Sequence, residues 1–385
     1  MKKVLQISNY YYPNIGGIEQ VARDISNVIK DDPEYEVKVI CFNEDSKDGE
    51  HVCYRKQTIH DWVDGVEIIK CGCFTKIASQ SLSFSFGKEL RRIMECYKPD
   101  VVVFHYPNPF QALYLLQCKH EDYKLMLYWH LDIIKQKWLR KLFLTQTQNL
   151  LRRADTIVAT SPLYIAGSSH LSQFKSKCKV IPNSISSSRI VVTAEIEAKA
   201  EQIRQKNNGR IICFGVGRHI PYKGFTYLIK ASQLLDDRFK IYIAGQGELT
   251  EELKAEAASD NKIQFLGRIS DADLIAYYLA MDIFCFPSIT KNEAFGIALA
   301  EGMYFGKPAV TFHIPGSGVN YVNLANVTGL ECPNRDSHAY AEALNKLADD
   351  PQLRKQMGVA AKKRVVENFM EQSFRRNILQ LLQGL

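Results

Sequence analysis

The chain has 385 residues, 46% apolar and 24% charged, with a formal net charge of +7. That is more chain than one core comfortably holds, so two domains are expected, and the ordinary composition excludes a disordered or fibrous protein. The charge bias is too mild for a nucleic-acid binder, no apolar run reaches the ~18 residues of a membrane span, and the ten scattered cysteines form neither a paired CxxC framework nor a disulfide scaffold.

The N-terminal half alternates apolar strands with amphipathic helices. A strand at 4–8, too short in its apolar run for a secretion signal, leads through the loop Asn14-Ile-Gly-Gly17 into a helix at 18–30. Further strands are predicted at 37–42, 66–71, 99–105, Lys124–Trp129, 156–160 and 178–182. Near-continuous apolar strands separated by helices point to a doubly wound parallel sheet. The Ser-rich stretch 183–188 reads as an interdomain linker. After a charged helix at 191–207 the pattern restarts, with a strand at 210–217 running into glycines and a helix at 225–235. Phe239–Ala244, 263–266, Ile283–Phe286 and Ala309–Phe312 continue a second sheet. Cys41, Cys213 and Cys285 lie inside such strands as small hydrophobes, which fits a reducing cytoplasm.

Chemistry concentrates after the strand Ile283–Phe286. Glu293 and Glu301 bracket seven residues, with Phe295-Gly296 opening a helix between them. A helix start offers free N–H groups to an anion, glycine lets a ligand approach the backbone, and the two carboxylates can grip the ends of one elongated ligand. Ordinary helix carboxylates would look the same. Gly215-Val-Gly-Arg-His-Ile-Pro-Tyr-Lys-Gly224 follows a strand and precedes a helix, so Arg218 and Lys223 are candidate diphosphate ligands, or simply surface-loop cations. Gly16-Gly17 and Gly245-Gln-Gly247 are similar close turns. His130 ends an apolar strand, placed to bind a sugar hydroxyl or share charge with a reacting group, or serving structure alone. Asp271-Ala-Asp273 has the form of a metal-binding DxD, yet it opens a helix, where capping is the simpler role.

The segment 134–154 carries six basic residues and no acidic one, interleaved with Trp138, Leu139, Leu142, Phe143, Leu150 and Leu151. It reads either as a basic amphipathic helix on an anionic membrane surface, with Lys135, Lys137, Trp138, Arg140 and Lys141 as contacts, or as a core-facing helix with a solvated basic side.

Together these motifs resemble the retaining glycosyltransferases of family 4, over nearly the whole chain. The carriers are GxGR with Lys223-Gly224, Gly245-Gln-Gly247, Phe265-Leu-Gly267, Phe286-Pro-Ser288, Glu293-Ala-Phe-Gly-Ile with Glu301, Gly306-Lys-Pro308 and Thr328-Gly-Leu330. Gly16-Gly17 and Ala159-Thr-Ser161 add to them, and Trp129 to Lys137 looks like a bacterial surface-polysaccharide subgroup. The resemblance implies a GT-B fold, two Rossmann-like α/β domains with parallel sheets facing across a cleft. The acceptor domain would span 1–182, the linker 183–188 and the donor domain 189–369, with a helix at about 370–385 crossing back. The resemblance also implies transfer of a hexose from a nucleoside-diphosphate sugar, UDP first and GDP next, to a lipid-linked glycan. In it Arg218 and Lys223 neutralise the diphosphate, Glu293 binds the donor sugar and Glu301 the ribose. The Phe295, Gly296 and Ile297 backbone covers the phosphate and sugar. Gly267 and Arg268 lie near the base, Gly245 lines the donor site, His130 faces the sugar, and Gly16 and Gly17 the diphosphate. No metal cofactor is expected, and the protein would work in the cytoplasm on the inner face of the membrane. Pro182-Asn-Ser-Ile-Ser186 departs from the family's usual Pro-Asn-Gly at the domain junction. A nucleotide-sugar 2-epimerase and a catalytically silent sugar-nucleotide-binding partner are the alternatives. A dehydrogenase is disfavoured because neither opening strand leads into GxGxxG with an acidic residue about 20 further on.

Overall fold

The computed structural model describes residues 1–14, 16–47, 51–54, 56–77, 80–119, 122–132 and 137–385, without the side chains of 45–47, 51–54, 77, 80, 137–142 and 188. It divides into two compact units. One comprises Met1–Thr160, Ser168–Ile181 and Arg375–Leu385, the other Ser161–Gly167 and Pro182–Phe374.

Strands that are apolar at nearly every position must be covered on both faces, which favours parallel pairing with helices on either side. Val101–Tyr106, Thr156–Ala159, Ile283–Phe286 and Ala309–Phe312 are buried at every residue. Among the described residues of the first unit, one sheet runs Cys178–Val180, Thr156–Ala159, Lys124–Trp129, Val101–Tyr106, Lys2–Ile7, Tyr35–Lys47, Val66–Gly72, Ile59–Val63. These strands are parallel up to Val66–Gly72. The expected parallel sheet thus carries an antiparallel edge strand, Ile59–Val63. Asp64 and Gly65 take φ of 52° and 81°, the left-handed pair a two-residue hairpin turn requires, so here the chain doubles back. The helix Gly17–Lys30 buries Val21, Ala22, Ile25 and Ile29 as a stripe at helical spacing.

The second unit's sheet runs Ile263–Gly267, Phe239–Ala244, Ile211–Val216, Ile283–Phe286, Ala309–Phe312, Gly329–Cys332, parallel throughout. By chain position that order is third, second, first, fourth, fifth, sixth, the doubly wound arrangement of mononucleotide-binding halves. Ser270 caps the helix Asp271–Ala280 by accepting from the Asp273 N–H, while Asp273 pairs with Lys199. The cap is therefore the serine, and the two aspartates lie in the first turn, where the helix dipole favours them. The Ser-rich stretch 183–188 is tied to the second unit. Ile185 is buried, donates its N–H to Phe369 O at 2.9 Å and bridges to Met370. The Glu371 carboxylate accepts from the Ser186 hydroxyl at 3.2 Å and the Ser187 hydroxyl at 2.5 Å.

Candidate active site

The strand order of the second unit reverses between Ile211–Val216 and Ile283–Phe286. Loops leaving the carboxyl ends of two such strands diverge and leave a crevice where ligands bind. One of these loops carries Lys223 and the other Glu293.

Lys223 ends a 3-10 turn, Pro221–Lys223, followed by Gly224 at φ 66°. A Cβ on Gly224 would lie 2.2 Å from Pro287 O, so only glycine lets this turn press against the neighbouring strand end. Ile289 N donates to Tyr222 O at 2.9 Å and locks the loops together. Gly224→Ala is expected to destabilise the fold by about 1–3 kcal/mol. Calorimetric melting should show a larger loss than for Gly209→Ala, where φ is 77° but a Cβ meets nothing within 4 Å.

The Lys223 ammonium donates to Glu293 Oε2, with the Ser288 hydroxyl donating to the same oxygen at 3.0 Å. Both charged side chains are largely buried, at 14% and 12% exposure. The Ser317 hydroxyl donates to Glu293 O at 2.5 Å and fixes the backbone. Among the described residues Oε1 accepts no hydrogen bond, so the carboxylate is held by one oxygen and offers the other. Lys223 is thus a cation already shared with Glu293, with two further N–H donors.

Next come Phe295, buried edge-on against Phe369, and Gly296 at φ 91°, which caps the helix Ile297–Tyr304. The helix begins at Ile297, two residues later than the sequence suggests, because a glycine in the left-handed region cannot be helical. Glu301 is no surface residue: it is 6% exposed. Tyr278 donates to Oε2 at 3.1 Å and Arg189 pairs with Oε1 at 3.6 Å. Burial raises the carboxyl pKa, and Arg189 and Tyr278 pull against that shift.

The three strand-end loops on the other side of the reversal interlock through backbone. A Cβ on Gly245, at φ 118°, would lie 1.9 Å from Gly217 O, and one on Gly247 2.5 Å from His219 O. Gly245 N donates to Gly267 O at 2.8 Å. Arg218 and Arg268 are exposed at the rim of this cluster.

In the first unit, Gly16 precedes the helix Gly17–Lys30 in extended conformation, and a Cβ on Gly17 would meet nothing within 4 Å. His130 is buried beside His105, its Nε2 2.9 Å from His105 Nδ1. Burial pushes the His105 pKa down to about 3 and that of His130 well below its usual range. Lys135 lies outside the described residues, as do the side chains of Lys137, Trp138, Arg140 and Lys141. Further along the helix Lys137–Arg153, Leu150 and Leu151 are fully buried and Arg153 donates to Leu115 O and Cys118 O, so this end belongs to the core.

A family model described as "Glycosyltransferase Family 4" matches residues 15–189, and one described as "Glycosyl transferases group 1" matches residues 196–364. The D-rhamnosyltransferase WbpZ of Pseudomonas aeruginosa is 34% identical over 297 residues, 76% of this chain and 75% of that one. The chain belongs to the family 4 glycosyltransferases. The O-antigen chain mannosyltransferase C of Escherichia coli is 29% identical to this glycosyltransferase over 95% of its length and 94% of the relative's. Among solved structures, sucrose-phosphate synthase from Thermosynechococcus elongatus superimposes with a TM-score of 0.79 at 18% identity, covering 100% and 99% of the two chains. Anabaena Alr3699/HepE in complex with UDP and glucose gives 0.76 at 17% identity, covering 100% of both. These likenesses show that the glycosyltransferase has the GT-B fold, with two Rossmann-like units. Family and relatives together make it a hexosyltransferase.

Sequence reasoning missed several partners within this site. Ser288, Tyr278 and Ser317 set the two carboxylates, and Arg189 comes from beside the stretch read as a linker. Only Ser288 had a local signal, as the end of Phe286-Pro-Ser288.

Proposed function

We propose that this glycosyltransferase moves a hexosyl residue, with retention of anomeric configuration, from a nucleoside-diphosphate sugar to a lipid-linked saccharide in bacterial surface-polysaccharide assembly. The observation that carries the donor assignment is the Lys223–Glu293 pair at the strand-order reversal. It sets a cation for a leaving diphosphate beside a carboxylate oxygen open to sugar hydroxyls. Arg218, exposed on the same loop as Lys223, adds the second positive charge. The Gly296–Ile297 backbone supplies N–H donors at a helix start. Glu301, with Arg189 and Tyr278, takes the ribose end. Gly245, Gly267 and Arg268 border the base, and the family likeness gives Gly16, Gly17 and His130 donor roles as well. The charge on the diphosphate is met by side chains and backbone, so the reaction proposed is metal-independent.

UDP is the first expectation for the base and GDP the second; the HepE complex supports UDP as a nucleotide this fold accommodates. A thermal-shift series with UDP-, GDP-, ADP- and CMP-sugars tests the reading. The right nucleotide at about 100 times its Kd should stabilise the protein by about 2.7 kcal/mol. No shift with any of them would sink the donor assignment.

The O-antigen chain in the name of the Escherichia coli relative supports a growing surface-polysaccharide chain as acceptor, and the basic segment 134–154 supports work at the cytoplasmic membrane face. Among the described residues no helix is long and apolar enough to cross a membrane. Changing Lys137, Arg140 and Lys141 together to Glu should abolish most binding to anionic liposomes, since each basic residue near such a surface contributes about 1 kcal/mol. Sedimentation unchanged from wild type would defeat the membrane claim.

A further inference from the structure

Three side chains at the centre of the first unit's sheet form a buried polar chain. Gln6 and His105 are 0% exposed and His130 6%. They stand on or just beyond the neighbouring strands Lys2–Ile7, Val101–Tyr106 and Lys124–Trp129, where this sheet too reverses its order. Gln6 Nε2 donates to Ala22 O at 3.1 Å and to Ser26 Oγ at 2.6 Å. A backbone carbonyl can only accept, so the amide cannot be turned over, and Oε1 must face His105. His105 Nε2 lies 2.8 Å from that oxygen and therefore carries a proton. A neutral His105 then has a bare Nδ1, which His130 Nε2, 2.9 Å away, must donate to. With its proton on Nε2, a neutral His130 keeps a lone pair on Nδ1. Among the described residues nothing donates to it.

We propose that Gln6 and His105 are positioning residues, holding His130 in the tautomer whose Nδ1 accepts a hydrogen bond from a hydroxyl of the transferred sugar. The proposal rests on the donor role proposed above for His130. Its surroundings hold the pair neutral. The rings of Tyr128 and His105 stack on His130 at 4.8 and 5.2 Å, and no carboxylate of the described residues hydrogen-bonds either imidazole. Asp132, two residues on, spends Oδ1 on Trp129 Nε1 and the Ser168 hydroxyl. Burial disfavours the imidazolium in both rings. Discrimination follows: a fixed acceptor rewards a sugar with a hydroxyl at that place and penalises its deoxy analogue, whose absence leaves the lone pair unmet.

The test begins with ring-nitrogen NMR on the full-length wild type labelled with ¹⁵N-histidine. His130 should show a protonated Nε2 and an unprotonated Nδ1, unchanged from about pH 6 to about pH 8. A proton on Nδ1, or titration inside that window, overturns the proposal. Donor hydrolysis with UDP-glucose, then GDP-mannose, supplies the second readout. His105→Phe should lower kcat/KM at least 10-fold while UDP or GDP alone binds as in wild type; equal kcat/KM overturns the positioning role. Gln6→Glu places a carboxylate against His105, so its activity should fall on acidification through neutral pH where wild type is flat. A loss equal at every pH would mean a merely structural role and also overturns it. A wild type that turns over no nucleotide sugar would refute the donor site itself, and the NMR result would still decide the tautomer.

Discussion

Glu293→Gln is expected to lower kcat/KM for transfer by about 10²- to 10³-fold while the protein stays folded. The carboxylate spends Oε2 on Lys223 and Ser288 and keeps Oε1 open. Glutamine keeps the shape but is neutral. Its oxygen can satisfy Lys223 only by turning its NH₂ toward the ligand position, where a sugar hydroxyl then meets a donor. In the role proposed for Glu293 the loss falls on interactions made with the reacting sugar, so kcat should fall with little change in nucleotide affinity. Kinetics beside calorimetric titration with the free nucleotide diphosphate check this. Unchanged kcat/KM would remove Glu293 from the site.

Lys223→Met should cost a similar factor in kcat, because the cation proposed to meet the departing diphosphate is gone. It should also destabilise, by up to about 3–5 kcal/mol, since a largely buried carboxylate loses its charge partner. The two effects separate in the double variant Lys223→Met with Glu293→Gln. Without an orphaned charge, it should melt closer to wild type than Lys223→Met alone, yet remain inactive. A double variant as unstable as Lys223→Met would show that lost packing over Phe286, whose ring lies 5.2 Å from the ammonium, accounts for the destabilisation.

The strands were the most legible part of the chain. Phe239–Ala244, Ile283–Phe286 and Ala309–Phe312 have the bounds their apolar runs suggest, because nearly every position is covered and only Lys240 and Thr311 interrupt the apolar pattern. The edge hairpin was written locally in Asp64-Gly65 and still escaped notice, since its strand Ile59–Val63 alternates half-buried and exposed residues. At the site, the carboxyl-edge rule put Lys223 and Glu293 on one side of one sheet. That they would pair across 70 residues of chain was not readable, because the contact depends on how closely Gly224 approaches Pro287. Glu301 shows the limit most clearly: its partners Arg189 and Tyr278 carry no motif, and only the fold brings them together. His130 was noticed as a residue at a strand end. The direction of its proton depends on Gln6 and Ala22, more than 100 positions earlier.

The interlocked glycine turns also bear on re-engineering the enzyme. Where Gly245 and Gly247 touch the backbone of Gly217 and His219, there is no side-chain space to explore, and a randomised library at these positions would return mostly unfolded protein. This floor of the site is in effect invariant under design. Altered donor preference would have to be sought in exposed positions such as Arg218 and Arg268, where new side chains do not press on the scaffold.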